Sequence, residues 1–424
     1  MSDPRKLLES KPWFPRDFNL DALLAQALSF AQQLDKNCTT ARISGLRFSC
    51  SFILSISFDN TNLEMISKSP LPTRKGSVAG GVAVGTELLV ESEVATMKLV
   101  EKATKIPVPH VFAYASTTRG HAVRWPYILM SKAEGEQLYW DDIPCAERET
   151  VMMSLAKMMC QLSSISFDKI GSIILKDDDY VITRSVHRSF RGALAGPFHS
   201  AKDYYAAQLA LFERDTVGTP EFSSRVSFFR PTPNREYFDS LEAYLAAEQK
   251  HYEANVPGYK DWDAPENIAR YKRLHNELEE AIPELIDFDS REFILAHPDL
   301  HQANIFIDPA NYEISCIIDW ECASTVPKEA FYVVPHLPSP RNPIAARLRS
   351  VFLDAFGVQG NGKEEGLNLF QRDEELLWAF NKLIHLDTER YFHPAVNVFL
   401  NWKLGKAWHD EFEAVYVMGE DSIC

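Results

Sequence analysis

Phe293-Ile-Leu-Ala-His297-Pro-Asp299-Leu-His301-Gln-Ala-Asn304-Ile-Phe-Ile-Asp308, followed by Ile317-Ile-Asp319-Trp320, decides the fold. An apolar strand runs into a short polar loop. The loop leads to two Ile-rich runs, Ile305-Phe-Ile307 and Cys316-Ile-Ile318. Between them Asp308-Pro-Ala-Asn-Tyr-Glu313 carries the Pro and Asn that mark a turn. A hairpin folded about that turn sets Asn304 and Asp319 opposite each other at its open end. Cross-strand neighbours lie about 5 Å apart, close enough for an amide oxygen and a carboxylate to share one cation. Asp299 sits in the loop that feeds the hairpin, near the same point. Phosphoryl transfer needs a carboxylate beside the attacking hydroxyl and hard oxygen ligands for Mg²⁺. These three residues offer both, which strand caps in a buried hairpin have no reason to do.

Working outward, 424 residues suffice for two packed lobes with a sizeable core. The apolar share of 46% and charged share of 24% are those of a globular protein. A net charge of −15 argues against a nucleic-acid partner, which needs clustered Lys and Arg. It suits a cationic substrate, and solubility accounts for it equally well. Seven Cys, an odd number with no Cys-x-x-Cys pair, read as reduced thiols. No apolar run approaches the length of a membrane span. Met1-Ser-Asp-Pro-Arg-Lys-Leu-Leu-Glu-Ser10 has neither an apolar signal core nor the acid-poor character of a transit peptide. The expected setting is therefore the cytoplasm, with no membrane partner.

Along the chain, Leu20, Leu23, Leu24, Ala27, Leu28 and Ala31 recur at helical spacing, giving a helical preface over 1–40. Strand texture begins near Ile43. Phe48 to Phe58, the turn Asp59-Asn-Thr-Asn62 and Leu63 to Lys68 read as a hairpin. A Gly- and Val-rich loop from Gly76 to Gly85 leads to a helix over Glu87–Val100. Two prolines bar helix at Ile106-Pro-Val-Pro109, and Trp125 to Met130 reads as a strand. The connector Ser131-Lys-Ala-Glu-Gly135 is the expected lobe boundary, dividing the chain into 1–130 and 131–424. Helices are expected at 146–163, 201–214, 239–252, 266–285, 345–356, 374–386 and 394–413. Segments 178–200 and 215–235 read as long surface loops.

His297-x-Asp299-x-x-x-x-Asn304, then a hairpin and Ile318-Asp319-Trp320, resembles the aminoglycoside phosphotransferase and choline-kinase group, and within it the large fungal branch. The resemblance implies an α+β, two-lobed, protein-kinase-like fold: a small antiparallel sheet lobe with one helix, and a larger, mainly helical lobe. It implies that Asp299 is the catalytic base, that Asn304 and Asp319 bind magnesium, and that His297 is structural. His301 reads as an ordinary loop residue, since no second His or Cys at ligand spacing makes a zinc site. The group also needs a strand lysine for the phosphates and a helix acid to hold it. Lys68, closing the second hairpin strand, and Glu93, mid-helix, fill that order. By the same resemblance, Ser49 and Ser51 lie in the phosphate-covering loop, while Ser131 and Ala133 present backbone groups to adenine. The loop departs from the usual pattern. Arg47-Phe-Ser49-Cys50-Ser51-Phe52 holds no Gly, so a Cβ at each position restricts the approach of backbone N–H groups to phosphate.

The sequence thus points to an enzyme using ATP, or another nucleoside triphosphate, and Mg²⁺ to phosphorylate a hydroxyl of a small molecule. The competing reading, favoured by the missing glycines, is a pseudokinase-like binding or scaffolding protein. A hydrolase lacks support, because neither a Gly-x-Ser-x-Gly elbow nor a His-Glu-x-x-His pair is present. No residue pattern selects the acceptor or bears on oligomeric state.

Overall fold

The alternation Phe52, Leu54, Ile56, Phe58 drives the first layer. All four are at most 2% exposed, and their partners on the pleat (Ser51, Ile53, Ser55, Ser57) face the other way. A computed structural model describes residues 4–9, 14–48, 51–71, 85–186, 195–217, 265–335, 346–359 and 374–384, with a few single residues beyond. It builds these residues into a five-stranded antiparallel sheet of order β1-β2-β3-β5-β4. The strands are β1 (Ala41–Phe48), β2 (Ser51–Phe58), β3 (Glu64–Pro70), β4 (Val111–Ala115) and β5 (Tyr127–Ser131). Helices α1 (Pro4–Glu9) and α2 (Leu20–Leu34) cover one face: Leu20, Leu23, Ala27 and Ala31 pack with the β2 residues in one apolar cluster. Asn19 caps α2 by accepting the Ala22 N–H at 3.1 Å. Each large β2 side chain so buried contributes about 1.5–3 kcal/mol.

On the other face lies α3 (Thr86–Ala103), entered through Gly85 at φ 91°, a left-handed backbone that glycine adopts without strain. The second core cluster runs from Val90, Val94 and Val100 of α3 across the connector to α4 (Arg148–Leu162) and Trp320. Beyond the two-residue strands β6 (Glu136–Gln137) and β7 (Ser166–Phe167) come β8 (Ser172–Lys176) and β9 (Asp179–Thr183), then α5 (Ala201–Val217) and α6 (Pro265–Leu285). β10 (Phe293–Ala296) pairs with β7 and β13 (Ser324–Val326), while β11 (Ile305–Ile307) pairs with β6 and β12 (Ile314–Ile317). Helices α7 (Lys328–Phe331), α8 (Ala346–Gln359) and α9 (Glu374–Ile384) complete the described chain. A third cluster packs α5, α6 and α9 together. A small antiparallel sheet with one helix on its inner face, followed by a mainly helical remainder, is the expected α+β architecture.

Two local expectations are corrected. Phe48 to Phe58 is not one strand: β1 ends at Phe48, which pairs with Phe52, so the sheet gains a strand before the hairpin. The stretch 178–200 is not all loop, because β8 and β9 form a hairpin. Its turn residues Asp177 (φ 50°) and Asp178 (φ 68°) take the left-handed conformation that tight hairpin turns require. The helix expected at 239–252, nearly all of the loop expected at 215–235 and most of the helix expected at 394–413 fall outside the described residues.

Candidate active site

Lys68 lies on β3, the central strand, with Ile53 of β2 and Ile128 of β5 as its cross-strand partners. Neighbours on both sides fix its backbone. Period-two alternation turns Lys68 away from the α2-covered face, on which Met65 is buried, toward α3. Its ammonium, 8% exposed as a residue, meets Glu93 Oε1 and Oε2 of α3 at 2.9 and 3.0 Å. It also meets Asp319 Oδ1 at 2.8 Å and Glu321 Oε2 at 2.8 Å. Three carboxylates thus surround one ammonium, a formal charge of −2.

The electrostatic consequences follow from burial and from that imbalance. Burial works against the Lys68 ammonium, but Glu321, Glu93 and Asp319 outweigh it and hold the group well above its ordinary 10.5. Burial pushes the Glu93 carboxyl up. Lys68 pulls it back, Glu321 and Asp319 add repulsion, and it comes to rest at about 7.

The loop before β11 is built from side chain to backbone bonds. His297 Nδ1 accepts the Asp299 N–H at 3.2 Å, and Nε2 donates to the Ile318 carbonyl at 2.9 Å. That division fixes the tautomer with its proton on Nε2, and one ring ties the Asp299 loop to the Asp319 turn. Trp320 is fully buried, stacks edge-on to His297 at 4.7 Å and donates to the Ile317 carbonyl at 3.0 Å. These contacts hold Asp319 at φ 63°, where a non-glycine residue costs about 1–2 kcal/mol. Asn304 ends a 3₁₀ turn, and its Nδ2 donates to the Asp299 carbonyl at 2.9 Å, so its Oδ1 is the atom left for a cation. Ile318 N donates to the Asn304 carbonyl at 3.0 Å, which sets Asn304 beside Asp319 at the hairpin's open end. Gln137 Nε2 to the Ala303 carbonyl and Trp140 N to Gln302 Oε1 pin the loop from the other side.

Lys68, Glu93 and Asp319 therefore meet, and Asn304 and Asp299 lie along the same loop. Ser51 is buried at the start of β2, on the Lys68 face and opposite Pro70, while Ser49 lies outside the described residues. Ser131 spends its N–H on the His110 carbonyl and its hydroxyl on the His110 N–H, both at 2.9 Å. Gly135, at φ +84°, lets the connector run against the hairpin: a Cβ there would lie 2.3 Å from the Ile307 carbonyl oxygen.

Two residues escaped the sequence reading. Glu321 is the third carboxylate on Lys68; its signal was position, since it flanks buried Trp320 as Asp319 does. His301 is not an ordinary loop residue. Its Nδ1 accepts the Ala303 N–H at 3.1 Å, capping the 3₁₀ turn, and its Nε2 lies 3.4 Å from Asp299 Oδ2.

The profile of the APH phosphotransferase enzyme family matches residues 83–327, more than half of the chain. The chain belongs to that family. The match takes in Glu93, Asp299, Asn304, Asp319 and Glu321 and begins beyond Lys68. A subtelomeric hrmA-associated cluster protein of Aspergillus fumigatus is 28% identical over 62% of this chain and 54% of its own. The altered inheritance of mitochondria protein 9 of Candida glabrata is 24% identical over 56% of this chain and 42% of its own. The chain spans about half the length of the first of these relatives, and less of the second. Among solved structures, an ADP-bound aminoglycoside phosphotransferase aligns over 91% of this chain and 98% of its own at 11% identity, TM-score 0.45. An ethanolamine kinase of Plasmodium vivax aligns over 88% and 83% at 12% identity, TM-score 0.44.

Proposed function

We propose that this member of the phosphotransferase enzyme family moves the γ-phosphoryl group of ATP to a hydroxyl of a small molecule, with Mg²⁺. The observation that carries the reading is the Lys68 ammonium held between Glu93 on the small-lobe helix and Asp319 on the large-lobe hairpin. The proposed lobes are residues 1–130 and 131–424, with nucleotide between them and the acceptor on the larger.

The donor set fits magnesium. Asn304 and Asp319 offer hard oxygens, and among the described residues no group of three or more His, Cys, Asp or Glu forms a self-sufficient metal cage. Mg²⁺ is held in this way, by one or two carboxylates completed by phosphate oxygens and water. Bound there, it would screen the phosphate charge and steady the oxygens that gain charge during transfer. Lys68, positioned by Glu93, donates to the α- and β-phosphates. Asp299 orients the acceptor hydroxyl and takes its proton as the new O–P bond forms and the bridge to the diphosphate breaks. The protein's contribution is positioning and charge complementarity.

Two measurements test this. Saturating Mg·ATP should raise the melting temperature, since about 100-fold excess over Kd adds about 2.7 kcal/mol. Labelled ATP with a metabolite extract should yield a labelled small molecule, and its identity names the acceptor. A shift without label supports the scaffolding alternative, and neither signal sinks the nucleotide reading. No helix among the described residues is long and apolar enough to cross a membrane. A cytoplasmic setting remains our proposal against the mitochondrial one carried in the name of the Candida glabrata relative, and cell fractionation decides between them.

A further inference from the structure

An ammonium has three N–H bonds, and at Lys68 all three are spent on carboxylates: Glu93, Asp319 and Glu321. Two duties then collide. If Asp319 turns its carboxylate onto a divalent cation, its single Oδ1 bond to Lys68 is the one to loosen. If Lys68 serves phosphate, at least one N–H must be released. Giving up Asp319 meets both demands at once, because its departure frees the N–H that phosphate needs. Lys68 must meanwhile stay in place. Glu93 grips it from α3, in the small lobe. Glu321, with a side chain 13% exposed, grips it from the same large-lobe turn that carries Asp319.

We propose that Glu321 is a positioning residue that keeps Lys68 anchored to the large lobe while Asp319 passes from the lysine to the cation. The inference rests on the phosphotransferase reading above. The charge count agrees with it: with all three carboxylates ionised, they and one ammonium leave −2, the complement of one divalent ion. Removing the Glu321 charge halves that field. Glu93 and Glu321 also become redundant holders of Lys68 once Asp319 is engaged. Losing either leaves one charged anchor, whereas losing both leaves a buried ammonium with none.

The test is ADP binding by calorimetry over a range of Mg²⁺ concentrations, for the wild type, Glu321→Gln, Glu321→Asp, Glu93→Gln and the double Gln variant. Glu321→Gln should weaken Mg·ADP about ten- to a hundredfold and raise the Mg²⁺ needed for half-saturation. A merely structural role would not move that second readout. Glu321→Asp, which keeps the charge, should recover part of the Mg²⁺ dependence, and it stands in if the Gln variant does not fold. The double variant should lose more than the product of the single losses. A Glu321→Gln variant that follows the wild-type Mg²⁺ titration, or strictly multiplicative losses, overturns the inference and leaves the phosphotransferase reading standing. A folded wild type that binds no Mg·ADP overturns both.

Discussion

Replacing Glu93 by Gln should change how stability depends on pH, by an amount the Lys68 cluster sets. Gln keeps the side-chain length and a carbonyl oxygen for Lys68, and removes only the titrating group. In the folded chain burial first, then repulsion from Glu321 and Asp319, lifts the Glu93 carboxyl from 4.5 to about 7 against the pull of Lys68. A group raised on folding contributes stability that is fully present below its unfolded value and is lost as pH rises through its folded value. The window is therefore pH 4.5 to 7, and the loss is at most about 3–4 kcal/mol, from 2.5 pH units at about 1.4 kcal/mol each. Above pH 7 the term is constant. Urea denaturation of both proteins, without nucleotide or Mg²⁺, isolates it. The unfolding free energy of wild type minus that of Glu93→Gln should fall by a few kcal/mol between pH 4.5 and 7, then level off. Titrating groups away from the Lys68 cluster cancel in the difference because the two chains share them. A difference that stays flat, or that rises with pH, refutes the view that three carboxylates compete for one ammonium.

Asp299→Asn should lower turnover about 10²–10⁴-fold while leaving Mg·ADP affinity near wild type. Full activity in a phosphate-transfer assay would remove its role as base. Asp319→Ala should weaken Mg·ADP about tenfold or more, read from a Mg²⁺ titration, and an unchanged titration would remove the metal assignment. Gly135→Ala should destabilise the fold by about 3 kcal/mol, because it forces a left-handed residue and a 2.3 Å contact with the Ile307 carbonyl oxygen. A loss under about 1 kcal/mol in urea denaturation would show that the connector is not held against the hairpin. With EDTA in place of Mg²⁺, ADP binding should nearly vanish, since a loop without glycine offers phosphate few backbone donors. Retained affinity would show that the loop, not the cation, carries the phosphates.

Much of the fold was legible because period-two burial is local. Phe52 to Phe58 declares its faces, and once Lys68 is placed on a strand between Ile partners its direction follows. The Asn304–Asp319 pair was legible for the same reason: a hairpin is short-range, and its ladder brings Ile305 opposite Ile317. The Lys68–Asp319 contact crosses 251 positions of sequence, and no local periodicity spans that distance. Only the family resemblance joined the two. Glu321 needed the same crossing and has no place in the motif as we read it, so it went unseen. His301 was set aside by asking whether it was a metal ligand. Its actual contacts, with the Ala303 N–H and Asp299, are those of a turn-capping side chain. The β8–β9 hairpin was lost to composition. The stretch 178–200 reads as loop by composition, although Ile173-Ile-Leu175 and Tyr180-Val-Ile182 flank Asp177-Asp178 as strands should.

That hairpin bears on what holds the cluster at Lys68 together. Ile173 of β8 packs in the same apolar cluster as Val90 and Val94 of the helix that carries Glu93, and Lys102 of that helix lies 5.8 Å over the Tyr180 ring. On its other side β8 adjoins β13, just past Glu321. The Gly171 N–H donates to Thr325 Oγ1 at 3.0 Å, and the Thr325 N–H donates to the Gly171 carbonyl at 2.9 Å. The helix bearing one carboxylate and the turn bearing the other two are thus fastened to a single β-hairpin. A buried ion cluster carrying two excess negative charges is costly by itself, and Asp319 adds the strain of its left-handed backbone. Neither would persist at the end of a loose helix or a loose loop. Rigid support from β8 and β13, together with buried Trp320, lets the chain hold an arrangement that disfavours itself.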